Sequence, residues 1–423
     1  MFSQIKRLLS HTVIYGLGNF ISKGIMFLLV PLLTNTISPG EFGKFSIAQT
    51  FIGLAEVFFM LGMRQAILRY AVKEEYSRAQ VFTAGVAWII LASTFFFGLL
   101  YTTGGPVNRL LTLNSDSIFR SMLIILVLDA LCNAPFAELQ SEQKPGYYIA
   151  LRMAQVSVYF GMSLYMVLVL KRHDVNAILE ANIAASAFQL ACSLPVYLRL
   201  FRPEVNRPLM KGMVNFGLPY VPNLIFIIII DLIDRVLVSR WLSLEAAGYY
   251  SAAYKFANLM YTLVTAFQIA WQPFFLSHLK SEGGNRLFSR VLTYYCLTAA
   301  LLFIGMGLFY HELAAVHFRS FSVIGPQYRA GLKVVPVLLL AYVFCGVYYN
   351  FLVGIYSKEK TIYTPIITFV GAALNVGVNY FAIPRYGIMG AALTTLLFYA
   401  VMAFLLYPVS MRLTPSSTNG AGY

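Results

Sequence analysis

Apolar residues run along this chain in long stretches, separated by short polar ones. Twelve stretches lie at approximately 11–35, 43–68, 79–102, 117–139, 146–170, 176–199, 213–239, 246–275, 289–310, 332–356, 361–383 and 388–411. A helix needs about 20 mostly apolar residues to cross the hydrocarbon of a bilayer. The two-residue alternation of a membrane barrel is missing, so each stretch is read as a helix that satisfies its own backbone hydrogen bonds. The pattern predicts an all-α polytopic membrane protein with twelve transmembrane helices.

The pattern is written twice. Ser38-Pro-Gly-Glu-Phe-Gly43-Lys-Phe-Ser46-Ile-Ala48-Gln-Thr-Phe51 returns 205 positions later as Ser243-Leu-Glu-Ala-Ala-Gly248-Tyr-Tyr-Ser251-Ala-Ala253-Tyr-Lys-Phe256. Five of these fourteen positions are identical. A second echo pairs Ser141–Tyr147 with Ser357–Tyr363, 216 apart. Six spans per copy is an even number, so both copies enter the membrane from the same face and form a parallel repeat. The expected organisation is an N-lobe over 1–200, a polar Pro-containing linker over 201–212, a C-lobe over 213–411 and a polar tail over 412–423. The first two spans of each copy, the first, second, seventh and eighth, are expected to line the seam.

Composition agrees with lipid as the solvent: 59% of residues are hydrophobic and 11% charged, against about 45–50% and about 25% in soluble domains. The formal net charge is +14. Without a basic tail or block, this charge is read as topogenic, and nucleic-acid binding is set aside. Loops on the side of the N-terminus hold sixteen Lys and Arg, among them Arg69, Arg78, Lys144, Arg199, Lys211 and Lys358. The opposite loops hold eight. The positive-inside rule then puts both termini in the cytoplasm. Lys6 and Arg7 precede an apolar run without a cleavage site, so the first span reads as an uncleaved helix. The four cysteines sit inside apolar stretches, form no CxxC and read as buried thiols. His311, Glu312 and His317 share a loop without a metal-site spacing, and no Walker, GxSxG or HExxH motif occurs. Neither catalytic residues, a cofactor nor a metal site is expected.

The candidate chemistry lies in charges at membrane depth, which are costly and therefore face a bundle interior or a wet cavity. Lys23, Glu56 and Lys255 fall near the middle of their spans. Lys23 and Lys255 at the seam would attract an anion such as a diphosphate, joined by Arg64, unless they are neutralised internally, Lys23 by Glu56 or Lys255 by Asp234. Asp129, Asp231, Asp234 and Arg235 are candidates for ion pairing or cation coupling. Asp231 and Arg235, at i and i+4, share a helix face and can pair. Arg64, Arg152, Glu180 and Lys333 lie near helix ends, where they can snorkel to the headgroups.

Asn19-Phe-Ile-Ser-Lys23 through Pro31 and Thr34, followed by Ser38-Pro-Gly-Glu41-Phe-Gly43, resembles the opening of the polysaccharide-biosynthesis flippases. This group includes the O-antigen flippases of the multidrug/oligosaccharidyl-lipid/polysaccharide exporter superfamily. Asp234-Arg235 followed by Gly248-Tyr-Tyr-Ser-Ala-Ala-Tyr-Lys255 is similar to their second-half signature. The resemblance implies a V of two six-helix lobes in the bacterial inner membrane. By alternating access it would move an undecaprenyl-diphosphate-type lipid-linked oligosaccharide to the outer leaflet, for cell-surface polysaccharide synthesis. The headgroup would cross the central cavity while the lipid tail stays outside, near the first and eighth spans. It implies a monomer working with membrane lipids and polysaccharide polymerase machinery, driven by Na⁺, H⁺ or the membrane potential. Two alternatives stay open: a cation-coupled drug or metabolite exporter of the same superfamily, using Glu56, Asp129 or Asp234, and a membrane glycan polymerase or ligase.

Overall fold

The computed structural model describes residues 2–73, 75–278, 284–318, 321–357 and 363–413. Each of the twelve apolar stretches is helical. The first copy contains α1 (Phe2–Thr36), α2 (Pro39–Met60), α3 (Met63–Tyr70), α4 (Arg78–Thr102), α5 (Gly104–Leu110), α6 (Asp116–Ser141), α7 (Pro145–Leu164) and α8 (Val175–Leu200). The second contains α9 (Arg207–Gly217), α10 (Val221–Trp241), α11 (Leu244–His278), α12 (Gly284–Leu308), α13 (Tyr310–Ala315), α14 (Val335–Ser357), α15 (Tyr363–Tyr386) and α16 (Ile388–Leu413). Seven described helices are long and apolar enough to cross a membrane, or eight if the bent pair α2–α3 is one span. The protein is a multi-pass membrane protein, and its outward apolar side chains, such as Leu297, Leu301 and Leu308 of α12, are exposed.

Several spans start and stop where local chemistry dictates. The Ser38 side chain caps α2 by accepting from the Glu41 amide, with Pro39 in the first turn. Ser77 and Gln80 form a reciprocal capping box on α4. The stretch expected as one helix over 43–68 breaks at Leu61 and Gly62, both at positive φ, and bends by 48°. Gly62 is required there, because any side chain would run into the Gly217 carbonyl. The stretch expected over 213–239 is likewise broken: Pro219 sits within a 3-10 turn at Leu218–Tyr220, and Pro222 follows in the first turn of α10. Within the expected linker 201–212, α9 already begins at Arg207 and packs on α3 and α4.

The helix packing repeats between the two copies. In the first, α6 packs on α8, α7 on α8, α1 on α7, and α2 on α6. In the second, α14 packs on α16, α15 on α16, α10 on α15, and α11 on α14. Between the copies α2 lies against α10 and α11, and α1 touches α11. At this contact the residues that repeat in sequence meet each other: Ser251 donates to Ser46 at 2.7 Å, and Gly43 and Gly248 let the two helix starts touch main chain to main chain. The repeat therefore marks an approximate two-fold axis through the seam.

The polar loops sort into two ends. Arg78, Glu138, Glu142, Lys144 and Arg199 form one ion-pair network, with Arg199 to Glu142 at 2.7 Å and Lys144 to Glu142 at 2.9 Å. At the other end Lys44 pairs with Glu41 at 2.6 Å and Arg172 with Glu180 at 2.6 Å. There the C-terminus of α1 is also bound by the second copy: Asn35 exchanges hydrogen bonds with Ser322, and the Gly325 amide donates to Thr34. Ser322 belongs to a short antiparallel pair, β1 (His317–Phe318) and β2 (Phe321–Ser322). Residues 358–362, the middle of the second echo copy Ser357–Tyr363, and the tail from 414 lie outside the described residues.

Candidate functional site: a cationic groove and a polar cavity

The two longest helices, α1 and α11, carry one central lysine each. Between them runs a groove of about 360 Å³ lined by Lys23, Lys255, Phe20, Met26, Phe27 and Leu263, among others. The Lys23 Nζ lies 6.0 Å from the Tyr261 ring centroid, and the Lys255 Nζ lies 5.8 Å from that of Phe45. Neither lysine has a carboxylate within 4.0 Å among the described residues. The internal neutralisations considered from sequence, Lys23 with Glu56 and Lys255 with Asp234, are thus not made in this structure. Two lysines face a mostly apolar groove, to which Asn258 and Thr262 add the other polar side chains, and each has an aromatic ring beside it.

Asp234 is already occupied. It accepts from the Tyr250 hydroxyl and from the Arg235 amide, the latter at 2.8 Å. The Arg235 guanidinium sits 3.7 Å from the Asp234 carboxylate and 4.2 Å from the Tyr254 ring centroid. The expected side-chain pair between Asp231 and Arg235 does not form. Arg235 instead donates to the main-chain carbonyl of Asp231 at 2.7 Å. Helical side chains lean toward the N-terminus, which brings the guanidinium onto that carbonyl while the buried Asp234 supplies the counter-charge. The Asp231 carboxylate has no hydrogen bond or ion pair among the described residues.

Arg64 stands apart from both lysines. The break at Leu61-Gly62 turns α3 toward α6, where Arg64 donates to Gln140 at 3.3 Å. It lines a second cavity, of about 340 Å³, whose other lining residues come mainly from α2, α6, α7 and α8. Glu56, Asp129, Arg152, Gln155 and Gln189 line it too. Glu56 accepts from Asn133 at 2.9 Å and Asp129 from Ser186 at 2.6 Å. Sequence reasoning singled out the charges here and missed the amides. The signal was legible as polar stripes at helical spacing: Gln49 and Glu56; Asp129 and Asn133; Arg152, Gln155 and Tyr159; Asn182 and Gln189. Glu180, expected near a helix end, binds Arg172 through both carboxylate oxygens.

The arrangement is that of a duplicated, multi-pass helical bundle with a cationic groove on its seam and a polar cavity inside one copy. The model of the family described as polysaccharide biosynthesis protein matches residues 8–278, and the chain belongs to this family. It is 22% identical over 420 residues to an uncharacterized membrane protein of Methanocaldococcus jannaschii, covering 91% of this chain and 80% of that one. Its fold is similar to that of a multidrug resistance MATE family transporter of the MOP superfamily in an inward-facing conformation (TM-score 0.77, 11% identity, 94% and 96% of the two chains). It is also similar to the lipid II flippase MurJ in an inward closed conformation (TM-score 0.77, 14% identity, 95% and 90%).

Proposed function

We propose that the protein is a flippase that moves a polyprenyl-diphosphate-linked oligosaccharide between membrane leaflets by alternating access, for cell-surface polysaccharide synthesis. The observation that carries this reading is the groove between α1 and α11. It offers two unneutralised lysines beside Phe20, Met26, Phe27 and Leu263. A polyprenyl diphosphate has the matching form, since its phosphates seek cations that Lys supplies as point charges and its chain seeks hydrocarbon. The loop charges favour a cytoplasmic placement for the end with the termini. On this reading substrate enters there, because the opposite end is closed by Ser46–Ser251 and by the bonds of Thr34 and Asn35. The protein acts as a monomer that delivers its cargo to polymerase machinery.

The driving force is cation exchange or the membrane potential. Asp231 is the coupling carboxylate best suited to exchange, because it is the one acid of α10 that Arg235 and Tyr250 leave unpaired. The experiment is reconstitution into proteoliposomes with a fluorescent short-chain polyprenyl-diphosphate glycan. Flipping is expected to fall in Lys23→Ala and in Lys255→Ala with normal protein levels, and unchanged flipping in both removes the anion site. In cells, deletion should leave complete single repeat units on the cytoplasmic leaflet. Unpolymerised units on the outer leaflet would favour a polymerase or ligase instead, and normal glycan with altered drug sensitivity an exporter.

A further inference from the structure

The polar cavity lined mainly by α2, α6, α7 and α8 is distinct from the groove and shares one lining residue with it, Met26. Its charges balance: Glu56 and Asp129 against Arg64 and Arg152. A balanced cavity has little attraction for a diphosphate. Its hydrogen-bonding groups are of both kinds. Gln189 and Tyr159 are 3% and 4% exposed, and the Gln189 amide nitrogen and the Tyr159 hydroxyl are buried with no hydrogen-bond partner among the described residues. Buried polar groups are normally partnered, and an occupant that accepts from the Gln189 amide would complete it. In the same lining, Oε1 of Glu56 and Oδ1 of Asp129 are taken by Asn133 and Ser186. Their other carboxylate oxygens have no donor among the described residues and are free to accept from an occupant that also donates.

A bare cation or a proton cannot accept a hydrogen bond, and a phosphate has few protons to give. Hydroxyl groups do both. The volume of about 340 Å³ is at the small end of ligand pockets, fitting one sugar ring rather than a whole oligosaccharide. Phe136 and Tyr148, packed edge to face at 4.8 Å, add an aromatic wall of the kind on which the C–H face of a pyranose rests. We infer that this cavity is a monosaccharide subsite, reading a neutral hydroxylated ring of the cargo while the lysine groove holds its diphosphate. The choice of a sugar among hydroxylated ligands rests on the flippase reading.

The test separates the two. Purified protein in nanodiscs is titrated with a panel of methyl glycosides (gluco, galacto, N-acetylglucosamino and rhamno) by saturation-transfer NMR, and in parallel with farnesyl diphosphate. At least one glycoside should bind. Tyr159→Phe, which keeps the ring, should weaken it by about tenfold, the order of one hydrogen bond, and Gln189→Leu should abolish it. Lys23→Ala should leave the glycoside signal intact while losing farnesyl diphosphate. The subsite is refuted if no glycoside binds a protein that still takes farnesyl diphosphate. It is equally refuted if glycoside binding ignores both Tyr159→Phe and Gln189→Leu, or if Na⁺ alone stabilises the protein through Asp129 while every glycoside is silent. Failure of the farnesyl diphosphate arm alone sinks the groove assignment and leaves the sugar subsite standing.

Discussion

The closed end of the seam depends on two residues without side chains. A methyl group placed on Gly43 would lie 2.9 Å from the carbonyl carbon of Leu244, and one on Gly248 would lie 2.8 Å from that of Pro39. In both cases the carbonyl oxygen is nearer still, and it belongs to rigid helix main chain rather than to a side chain that can rotate away. Gly43→Ala or Gly248→Ala must therefore push α2 and α11 apart. Overpacking of this kind costs about 1–3 kcal/mol, and it acts on the closed arrangement alone, because separated helices leave room for the methyl. The equilibrium between closed and open seam should shift by about 5- to 150-fold. Ser46 and Ser251, with hydroxyls 2.7 Å apart, report the closed form. In a Ser46→Cys/Ser251→Cys protein with the native cysteines replaced, mild oxidation should cross-link the seam rapidly. Adding Gly248→Ala should slow this initial rate in proportion to the loss of the closed form. An unchanged cross-linking rate with both Gly43→Ala and Gly248→Ala would show that the glycines do not set the approach, and the reasoning would fail.

Asp234→Ala leaves Arg235 buried without its counter-charge and Tyr250 without its acceptor. Breaking one partner of such a pair costs about 3–5 kcal/mol, so detergent-solubilised protein should aggregate at a clearly lower temperature, and a wild-type melting curve would contradict this. Asn35→Leu removes both directions of bonding to Ser322 and strands the Ser322 amide, at a cost of about 1–3 kcal/mol. It should raise thiol labelling of a cysteine placed at Thr36, and equal labelling would show that this latch carries no weight. A double-mutant cycle on Lys23→Ala and Lys255→Ala should be non-additive in farnesyl diphosphate affinity, since both cations are assigned to one anion. Additive losses would place them at separate sites.

Much of this molecule was legible in its sequence. Lipid admits few backbone arrangements, so apolar stretches had to become helices, and the described residues of each stretch are helical, with breaks in those over 43–68 and 213–239. The charge map sorted the loops into two ends, and the network of Arg78, Glu142, Lys144 and Arg199 joins loops assigned to the same side. The repeat at 38 and 243 also foretold the duplicated packing, because equal sequences fold into equal surfaces. Tertiary structure alone decided what met across those surfaces. That Ser46 meets Ser251, rather than each packing within its own copy, follows from the two-fold axis that the repeat generates when the copies dock. Arg64 was grouped with the lysines, and beyond the 48° bend at Gly62 it lies against Gln140 of α6, lining the polar cavity. Asp231 and Arg235 have the spacing of an ion pair, yet the nearby Asp234 carboxylate took the charge. The sugar subsite was missed for the same reason: Gln189 and Tyr159 are ordinary polar residues in apolar spans until four helices turn their stripes toward one another.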